Sequence, residues 1–342
     1  MKADAVPNAI PNAIPNSGLN RPSGSGEPSV MSSKKPNPKP NRFVRSVRKN
    51  GALLLLALPG ILMLFVFSYL PMGGMIIAFK DYTYKHGIFG SKWVGFKNFE
   101  FLFATDDAWR ITFNTLFLNG LFISIGLIVS VSLALIMNEV KSKWVNSVVQ
   151  SALFFPFLLS WVIVSYFAYA LLTSTGLVNQ ALQGLGIDPV LFYNNPQYWP
   201  LILTLVYIWK NAGYFSIIYL ASILGISPDY YEAAKIDGAS KLQQIRYITL
   251  PLLIPVIIIM TLLQLGRIFY ADFGLFYNVT RDSGMLYATT DVIDTYVFRM
   301  FRTVGDVGMA SAAGFYQAIV GFILVLGSNL IVRKIDKEKA LF

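Results

Sequence analysis

The amino-acid sequence predicts an all-α membrane protein, a polytopic bundle of six transmembrane helices with a helix-turn-helix loop between the fourth and fifth. The first observation is composition, because 55% of the 342 residues are hydrophobic and only 13% are charged, against about 25% in soluble domains. The second is that apolar stretches recur at lengths that fit the ~20 residues of a transmembrane helix. The third is that a polar segment, residues 227–251, separates two of these stretches.

The predicted spans lie in one transmembrane domain, residues 42–335, which is flanked by two cytosolic tails. Residues 1–41 are rich in Pro, Asn, Ser and Gly, and such a composition buries too little apolar surface to offset the entropy of ordering. We therefore expect a disordered tail there and a short second tail at 336–342. The spans are expected at residues 51–79, 111–138, 147–172, 200–224, 252–273 and 307–332.

The distribution of lysine and arginine predicts which side of the membrane each loop faces. With the N-terminus inside, the inner segments carry 13 of these residues and the outer loops carry 8. Cytoplasmic segments are the ones that hold an excess of Lys and Arg. Both termini are therefore expected in the cytosol, and residues 227–251 are expected on the same side, where a cytosolic protein could reach them.

Several kinds of chemistry are excluded by residue counts and missing motifs. The chain has no cysteine and a single histidine, His86, so disulfides, thiol chemistry and metal sites built on Cys or His are not expected. The sequence contains no G-x-x-x-x-G-K-[ST], G-x-S-x-G or H-E-x-x-H motif, so we expect neither an enzyme nor ATP hydrolysis by this chain. The net charge of +10 comes from basic residues beside the apolar stretches, which indicates membrane topology rather than nucleic-acid binding.

The polar loop at residues 227–251 has the start and stop signals of two short helices. Ser227 can cap a first helix, and Pro228 suits its first position, where no backbone N–H is needed. Gly238 is the residue type that ends a helix in a left-handed conformation. Ser240 followed three residues later by Gln243 is a capping box for a second helix. The loop is therefore predicted to be a helix, a tight turn and a helix at the membrane surface.

The same loop carries a signature with fixed spacing. In chain order the signature is Glu232-Ala233-Ala234, Gly238, Ile248 and Leu250-Pro251. This pattern resembles the signature loop of the permease subunits of binding-protein-dependent ABC importers. In that family the loop forms the coupling helices, which dock into a cleft of a cytosolic ATPase.

The resemblance implies a role for each position of the loop. Glu232 would meet a basic residue of the ATPase, although an alternative is a solvated charge that only favours a helix N-terminus. Ala233 and Ala234 would let the helix enter the cleft, while Asp237 and Gly238 would set the turn. The positions that would pack the loop onto the membrane domain and restart the helix are Ile248, Leu250 and Pro251.

The sequence E-A-A-K-I-D-G-A-S at 232–240 and the segment V-G-F-K-N-F at 94–99 resemble the branch that imports oligo- and polysaccharides. This resemblance implies a bacterial cytoplasmic-membrane protein that forms a heterodimer with a sister permease. It also implies two cytosolic ATPase subunits that bind ATP and Mg²⁺, and an extracytoplasmic solute-binding protein, while the chain itself binds no cofactor. The alternatives are a permease for a non-sugar solute, a secondary transporter or channel without an ATPase, and a membrane scaffold or sensor.

Polar and aromatic residues within the predicted spans are candidates for a substrate pathway, because polar groups in a membrane are costly and often functional. The candidates are Lys210, Asn211, Tyr214, Gln264, Arg267 and Tyr270. The amides could bind sugar hydroxyls or make interhelical hydrogen bonds, and the aromatic rings could stack on sugars, face lipid or belong to the core. Lys210 and Arg267 would permit an acidic sugar such as a uronate oligomer.

Overall fold

The computed structural model describes residues 49–335, which are almost entirely helical. The expected tails at 1–41 and 336–342 lie outside the described residues. Within the described part, six helical stretches are long and apolar enough to cross a membrane, so the prediction of an all-α protein with six spans is confirmed. These stretches, named span 1 to span 6, are Gly51–Phe79, Asp107–Glu139, Trp161–Gly184, Pro196–Leu224, Lys241–Leu265 and Val307–Leu330.

The elements follow one another with short connections. The α-helices are α1 Gly51–Leu64, α2 Gly87–Gly90, α3 Lys97–Phe103, α4 Asp107–Glu139, α5 Lys143–Leu158, α6 Trp161–Leu172, α7 Leu177–Gly184, α8 Trp199–Leu224, α9 Pro228–Ile236, α10 Lys241–Gln244, α11 Leu250–Leu265, α12 Tyr287–Thr290, α13 Ile293–Arg299 and α14 Val307–Ile335. Turns of π-helix occupy Phe65–Tyr69, Ile245–Thr249, Leu275–Val279 and Met300–Val304, and 3₁₀ helices occupy Leu70–Phe79, Phe192–Asn194, Pro196–Tyr198 and Gly284–Leu286. Two short strands, β1 Lys80–Asp81 and β2 Lys92–Trp93, pair antiparallel with Lys80 opposite Trp93.

The chain divides into two units after residue 62. Most of the described part of the first unit belongs to α1, whose residues are apolar and all exposed. A helix that is apolar on every side is suited to lipid or to another apolar helix. In the second unit, span 1 continues through a π-helical turn into a 3₁₀ helix with Pro71 in its first turn. Proline cannot donate the next backbone hydrogen bond, which accounts for the change in helix type.

The third predicted span, residues 147–172, is not the continuous helix that the sequence predicts. Two helices occupy this region, α5 and α6, with a break at Leu159 and Ser160, and span 3 begins only after the break, at Trp161. Pro156 removes one donor from the end of α5. The Ser160 hydroxyl then accepts a hydrogen bond from the backbone N–H of Ile163 at 3.4 Å and caps α6.

Span 5 begins earlier and ends earlier than the expected 252–273. It starts at Lys241, and α11 ends at Leu265, where Gly266 starts a turn with i to i+3 hydrogen bonds. Arg267 and Tyr270, which we expected inside a span, therefore lie on the turn that follows span 5. The hydropathy of the sequence does not reveal that α11 ends at Leu265, because apolar residues continue beyond that position.

Three apolar clusters hold the second unit together. One joins α4, α6 and α8 around Phe122 and Trp199. Another joins α4, α13 and α14 around Ile111, and the third joins α4, α8 and α11 around Met137 and Tyr219. All three include α4 and two of them include α8, so these two helices form the centre of the packing.

A buried ion cluster ties the segment between spans 5 and 6 to the start of α4. The carboxylate of Asp291 is fully buried and accepts hydrogen bonds from Arg299 Nη2 at 2.5 Å and Arg110 Nη2 at 3.3 Å. Arg299 also pairs with Asp282 at 3.0 Å. A buried carboxylate needs such partners, because an unpaired buried charge is strongly unfavourable. The cluster therefore fixes this segment against span 2.

Candidate functional site

The loop at 227–251 forms a helical hairpin, named here the coupling hairpin. The Ser227 hydroxyl accepts a hydrogen bond from the backbone N–H of Asp229 at 3.4 Å and caps α9. Gly238 adopts φ +76°, the left-handed conformation that glycine reaches without strain. The N–H of Ala239 then donates to the carbonyl of Ala234 at 2.8 Å, which closes the helix end.

The second half of the hairpin runs into span 5 without a loop. The Ser240 hydroxyl accepts from Gln243 N–H at 3.4 Å, and the Gln243 side chain accepts from Ser240 N–H at 2.7 Å, which is the expected capping box. A π-helical turn, Ile245–Thr249, connects α10 to α11. Pro251 in the first turn of α11 has no N–H for the regular ladder, which explains why the helix changes its bonding there.

The signature residues occupy different surfaces of the coupling hairpin. Glu232, Ala233, Asp237, Gly238 and Pro251 are exposed, whereas Ala234, Ile248 and Leu250 are partly buried. The hairpin also exposes large apolar side chains that the sequence signature does not include. The most exposed of them are Ile236, at 86%, Leu242, at 73%, and Tyr247, at 68%. Exposed apolar groups on an otherwise polar segment indicate a surface that contacts a partner.

Two side-chain contacts fasten the coupling hairpin to the transmembrane helices. The hydroxyls of Tyr231 and Thr249 lie 3.0 Å apart, which joins α9 to the start of span 5. Lys241 Nζ lies 2.9 Å from Glu139 Oε2 at the end of span 2. A cavity of about 320 Å³ lies between these elements, with Glu232 among its lining residues. Neither of these two contacts is identifiable from the sequence signature, because each pairing depends on how the helices fold back.

A second site is a cavity of about 560 Å³ between spans 2, 4 and 5, named here the polar cavity. Of the six residues expected on a substrate pathway, four line it, and these are Asn211, Gln264, Arg267 and Tyr270. Aromatic side chains from two spans, among them Phe122 and Tyr207, also face it. Asn211 donates to the carbonyl of Tyr207 at 2.9 Å, so its own carbonyl oxygen can accept a hydrogen bond from a ligand.

Lys210 lies next to the polar cavity in sequence but does not line it. Its side chain is buried, and Nζ donates to the carbonyls of Leu159 at 2.6 Å, Phe157 at 2.8 Å and Pro156 at 3.3 Å. These carbonyls lie at the C-terminal end of α5, where regular helical hydrogen bonds run out, and the negative end of a helix favours a cation. The sequence predicts that Lys210 contacts the substrate, but in the structure its ammonium group holds the break between α5 and α6.

Tyr214 is also absent from the residues that line the polar cavity. Its ring stacks on Phe157 with the ring centroids 4.4 Å apart. It therefore packs against the end of α5, close to the carbonyls that bind Lys210. The sequence could not distinguish this packing role from sugar stacking, since an aromatic residue in a span suits both.

The rim of the polar cavity is held by Asp294, which the sequence signals did not identify. Asp294 Oδ2 accepts from the backbone N–H of Ala271 at 2.8 Å and from Gln317 Nε2 at 3.0 Å. Gln317 Nε2 also donates to the carbonyl of Phe269 at 2.9 Å. Burial raises the pKa of the Asp294 carboxyl above its ordinary value, and the two hydrogen bonds it accepts act in the opposite direction.

Comparison with known proteins adds an independent line of evidence. A family model described as "Binding-protein-dependent transport system inner membrane component" matches residues 126–337. The polygalacturonan/rhamnogalacturonan transport system permease protein YteP of Bacillus subtilis strain 168 is 37% identical over 84% of this chain and 89% of that protein. The residues that the family model matches include the coupling hairpin.

Solved structures agree with this likeness. A chain in the crystal structure of a bacterial ABC transporter involved in the import of the acidic polysaccharide alginate superimposes with a TM-score of 0.78. It is 35% identical, and the match covers 86% of this chain and 99% of that one. A second structure, the alginate transporter in complex with an alginate pentasaccharide-bound periplasmic protein, matches with a TM-score of 0.78 at 36% identity over the same shares.

Proposed function

The chain belongs to the family of inner membrane components of binding-protein-dependent transport systems, and from this premise we propose that it is the permease subunit of an ATP-driven importer of acidic oligosaccharides. It is a multi-pass protein of the cytoplasmic membrane. Its role is transport and not catalysis. Sugar passes through the spans, while the energy comes from partner subunits.

The proposed assembly has four kinds of component. This chain pairs with a sister permease, and two cytosolic ATPase subunits bind ATP and Mg²⁺ and hydrolyse the nucleotide. An extracytoplasmic solute-binding protein delivers the sugar. The solved complex of an alginate transporter with a sugar-loaded periplasmic protein supports this arrangement. The absence of a G-x-x-x-x-G-K-[ST] motif from the sequence fits a chain that relies on another subunit for ATP chemistry.

The observation that carries the coupling proposal is the surface of the coupling hairpin. It presents the exposed carboxylate of Glu232 beside the exposed apolar side chains of Ile236 and Leu242. An apolar patch with one charge suits the cleft of a protein partner. When ATP closes the two ATPases, the hairpin moves with them, and the spans switch between inward-facing and outward-facing arrangements of packed helices.

The substrate class follows from the charges of the polar cavity. Its lining residues include one cation, Arg267, and one anion, Asp272. No ion pair joins Arg267 to another side chain among the described residues. A guanidinium group binds a carboxylate with two parallel hydrogen bonds, so a uronate unit suits this cavity. The matching permease for polygalacturonan and the alginate transporter, whose sugars are acidic, support the same class.

The test uses the complete importer in proteoliposomes with ATP inside and labelled trigalacturonate and trimannuronate outside. We expect Glu232→Lys to lower uptake at least about tenfold, because reversing one partner of a close charge pair at an interface strongly weakens binding. ATP hydrolysis in this variant should no longer respond to the sugar-loaded binding protein. The matched control is Glu100→Lys, a charge reversal at an exposed glutamate of α3, which should transport like the wild type.

Two results would contradict the proposal in different ways. Uptake by the wild type that continues without ATP would indicate a secondary transporter or a channel. Uptake by Glu232→Lys at the wild-type rate would show that the coupling hairpin does not receive the energy through this carboxylate. A neutral or non-sugar solute that is transported in preference to both uronate oligomers would reject the proposed substrate class.

A further inference from the structure

The two charged groups of the polar cavity have unequal surroundings. Asp272 Oδ2 accepts a hydrogen bond from the indole N–H of Trp161 at 2.8 Å. Its Oδ1 accepts from the backbone N–H groups of Gly274 at 3.1 Å and Leu275 at 3.4 Å. The guanidinium of Arg267 is exposed to the cavity, and the described residues provide it with no hydrogen-bond acceptor. The carboxylate of Asp272 therefore already accepts hydrogen bonds from the protein, whereas the guanidinium of Arg267 can still bind a ligand.

The position of Trp161 is fixed from two sides. Lys210 Nζ, held by the carbonyls at the end of α5, lies 5.1 Å from the centroid of the Trp161 ring. On the other side, a Cβ added to Gly274 would lie only 2.2 Å from Trp161 Cδ1, so the ring rests directly on this backbone. Lys210 also interacts electrostatically with Asp272. The indole thus stands between a buried cation and the carboxylate of Asp272.

We infer that Trp161, held by Lys210, determines charge specificity by keeping Asp272 from neutralising Arg267. The inference rests on the proposed import of acidic oligosaccharides. Without the indole hydrogen bond, Asp272 and Arg267 in the same cavity attract each other in a region of low dielectric constant. A substrate carboxylate would then have to displace an internal ion pair. With the bond in place, Arg267 stays available to a uronate.

Trp161→Phe tests this step with a small change. Phenylalanine keeps an aromatic face for Lys210 and for the backbone of Gly274, but it lacks the N–H group that binds Asp272. The probes are labelled trigalacturonate and its fully methyl-esterified, neutral form, with uptake measured in the complete importer. We expect uptake of the acidic probe to fall about tenfold relative to wild type, while uptake of the neutral probe stays unchanged.

The solute-binding protein is the same in every assay, so its own preference cancels when the uptake by each variant is divided by the uptake by wild type. Trp209→Phe is the matched control, because Trp209 is a half-exposed tryptophan of α8 that lines an apolar groove. It should leave both probes unaffected. Direct binding of trigalacturonate to the detergent-solubilised importer, without the binding protein, gives a second measurement of the same specificity.

Two further variants separate specificity from folding. The double variant Trp161→Phe with Asp272→Asn removes the carboxylate that would pair with Arg267, so we expect it to regain uptake of the acidic probe. Lys210→Met should resemble Trp161→Phe, whereas Lys210→Arg, which can still donate to the carbonyls of α5, should stay near wild type. Rescue by the double variant is a result that a purely structural role of Trp161 would not give.

The failure of this inference is distinguishable from the failure of the proposed function. If the wild type shows no preference for trigalacturonate over its ester at the permease, acidic-sugar transport itself is rejected. If the wild type has the preference and Trp161→Phe keeps the same ratio, the role of Trp161 is overturned. An equal loss of both probes without rescue by Asp272→Asn would also overturn it.

Discussion

Asp294 shows how a single carboxylate acts on the rim of the polar cavity and how its charge depends on pH. Because burial raises its pKa in the folded protein, the folded protein takes up a proton at a higher pH than the unfolded chain. The ionised carboxylate therefore lowers the free energy of unfolding at neutral pH. This destabilising effect is relieved as the pH falls through the folded-state pKa, so the free energy of unfolding rises on acidification.

Asp294→Asn removes this titration while keeping an oxygen that can accept from Ala271 N–H. We expect the melting temperature of the purified protein, measured from neutral pH to about pH 4, to lose the part of its rise on acidification that Asp294 supplies. Asp237→Asn, at an exposed carboxylate of the coupling hairpin, should leave the wild-type pH profile unchanged. Parallel profiles for Asp294→Asn and wild type would reject this role.

The sequence identifies residue types at this scale better than it identifies their contacts. Asn211, Gln264 and Arg267 are candidates because polar groups in spans are costly, and they do line one cavity. Lys210 is a candidate for the same reason, but its ammonium binds the carbonyls at the end of α5. That binding site for the ammonium exists only because the helix is interrupted between α5 and α6. The apolar pattern of the sequence does not reveal this interruption.

At the scale of single elements, local signals predict the coupling hairpin well. The cap at Ser227, the turn at Gly238 and the capping box at Ser240 involve residues within a few positions of each other. The π-helical turn at Ile245–Thr249 was not predicted. Neither was the short end of α11 before Arg267. The turn reflects the missing backbone N–H of Pro251, and the end of α11 lies within a run of apolar residues, so hydropathy alone reports neither.

Gly213 gives a test of how closely two elements pack. A Cβ at this position of α8 would lie 1.9 Å from the carbonyl oxygen of Leu153 in α5. We expect Gly213→Ala to force the two helices apart and lower the free energy of unfolding by about 1–3 kcal/mol. The measurement is thermal unfolding of the detergent-solubilised protein.

The matched control is Gly120→Ala in α4, where an added Cβ has no neighbour within 4 Å. This change should be neutral or stabilise by about 0.5–1 kcal/mol, since alanine loses less conformational entropy than glycine in a helix. We therefore expect Gly213→Ala to destabilise the protein and Gly120→Ala not to do so. Equal effects would show that α5 and α8 are not in backbone contact in solution.

At the scale of the whole second unit, one span connects the two candidate sites. The coupling hairpin leads directly into span 5, which runs from Lys241 to Leu265 and ends beside Arg267 at the polar cavity. Tyr231 and Glu139 add contacts from α9 and span 2 to the start of this span. A displacement of the hairpin can therefore reach the cavity through packed helices, as a two-state rearrangement requires.

The orientation of this path across the membrane decides whether the proposed coupling can work. The excess of Lys and Arg on one side predicts that the coupling hairpin faces the cytosol. Because the chain has no cysteine, Asp237→Cys and Lys85→Cys each introduce a single thiol at an exposed position. In right-side-out membrane vesicles, a membrane-impermeant maleimide should label Lys85→Cys at once and Asp237→Cys only after permeabilisation. Immediate labelling of Asp237→Cys would place the hairpin on the outer side, where no cytosolic ATPase could bind it, and the coupling proposal would fail.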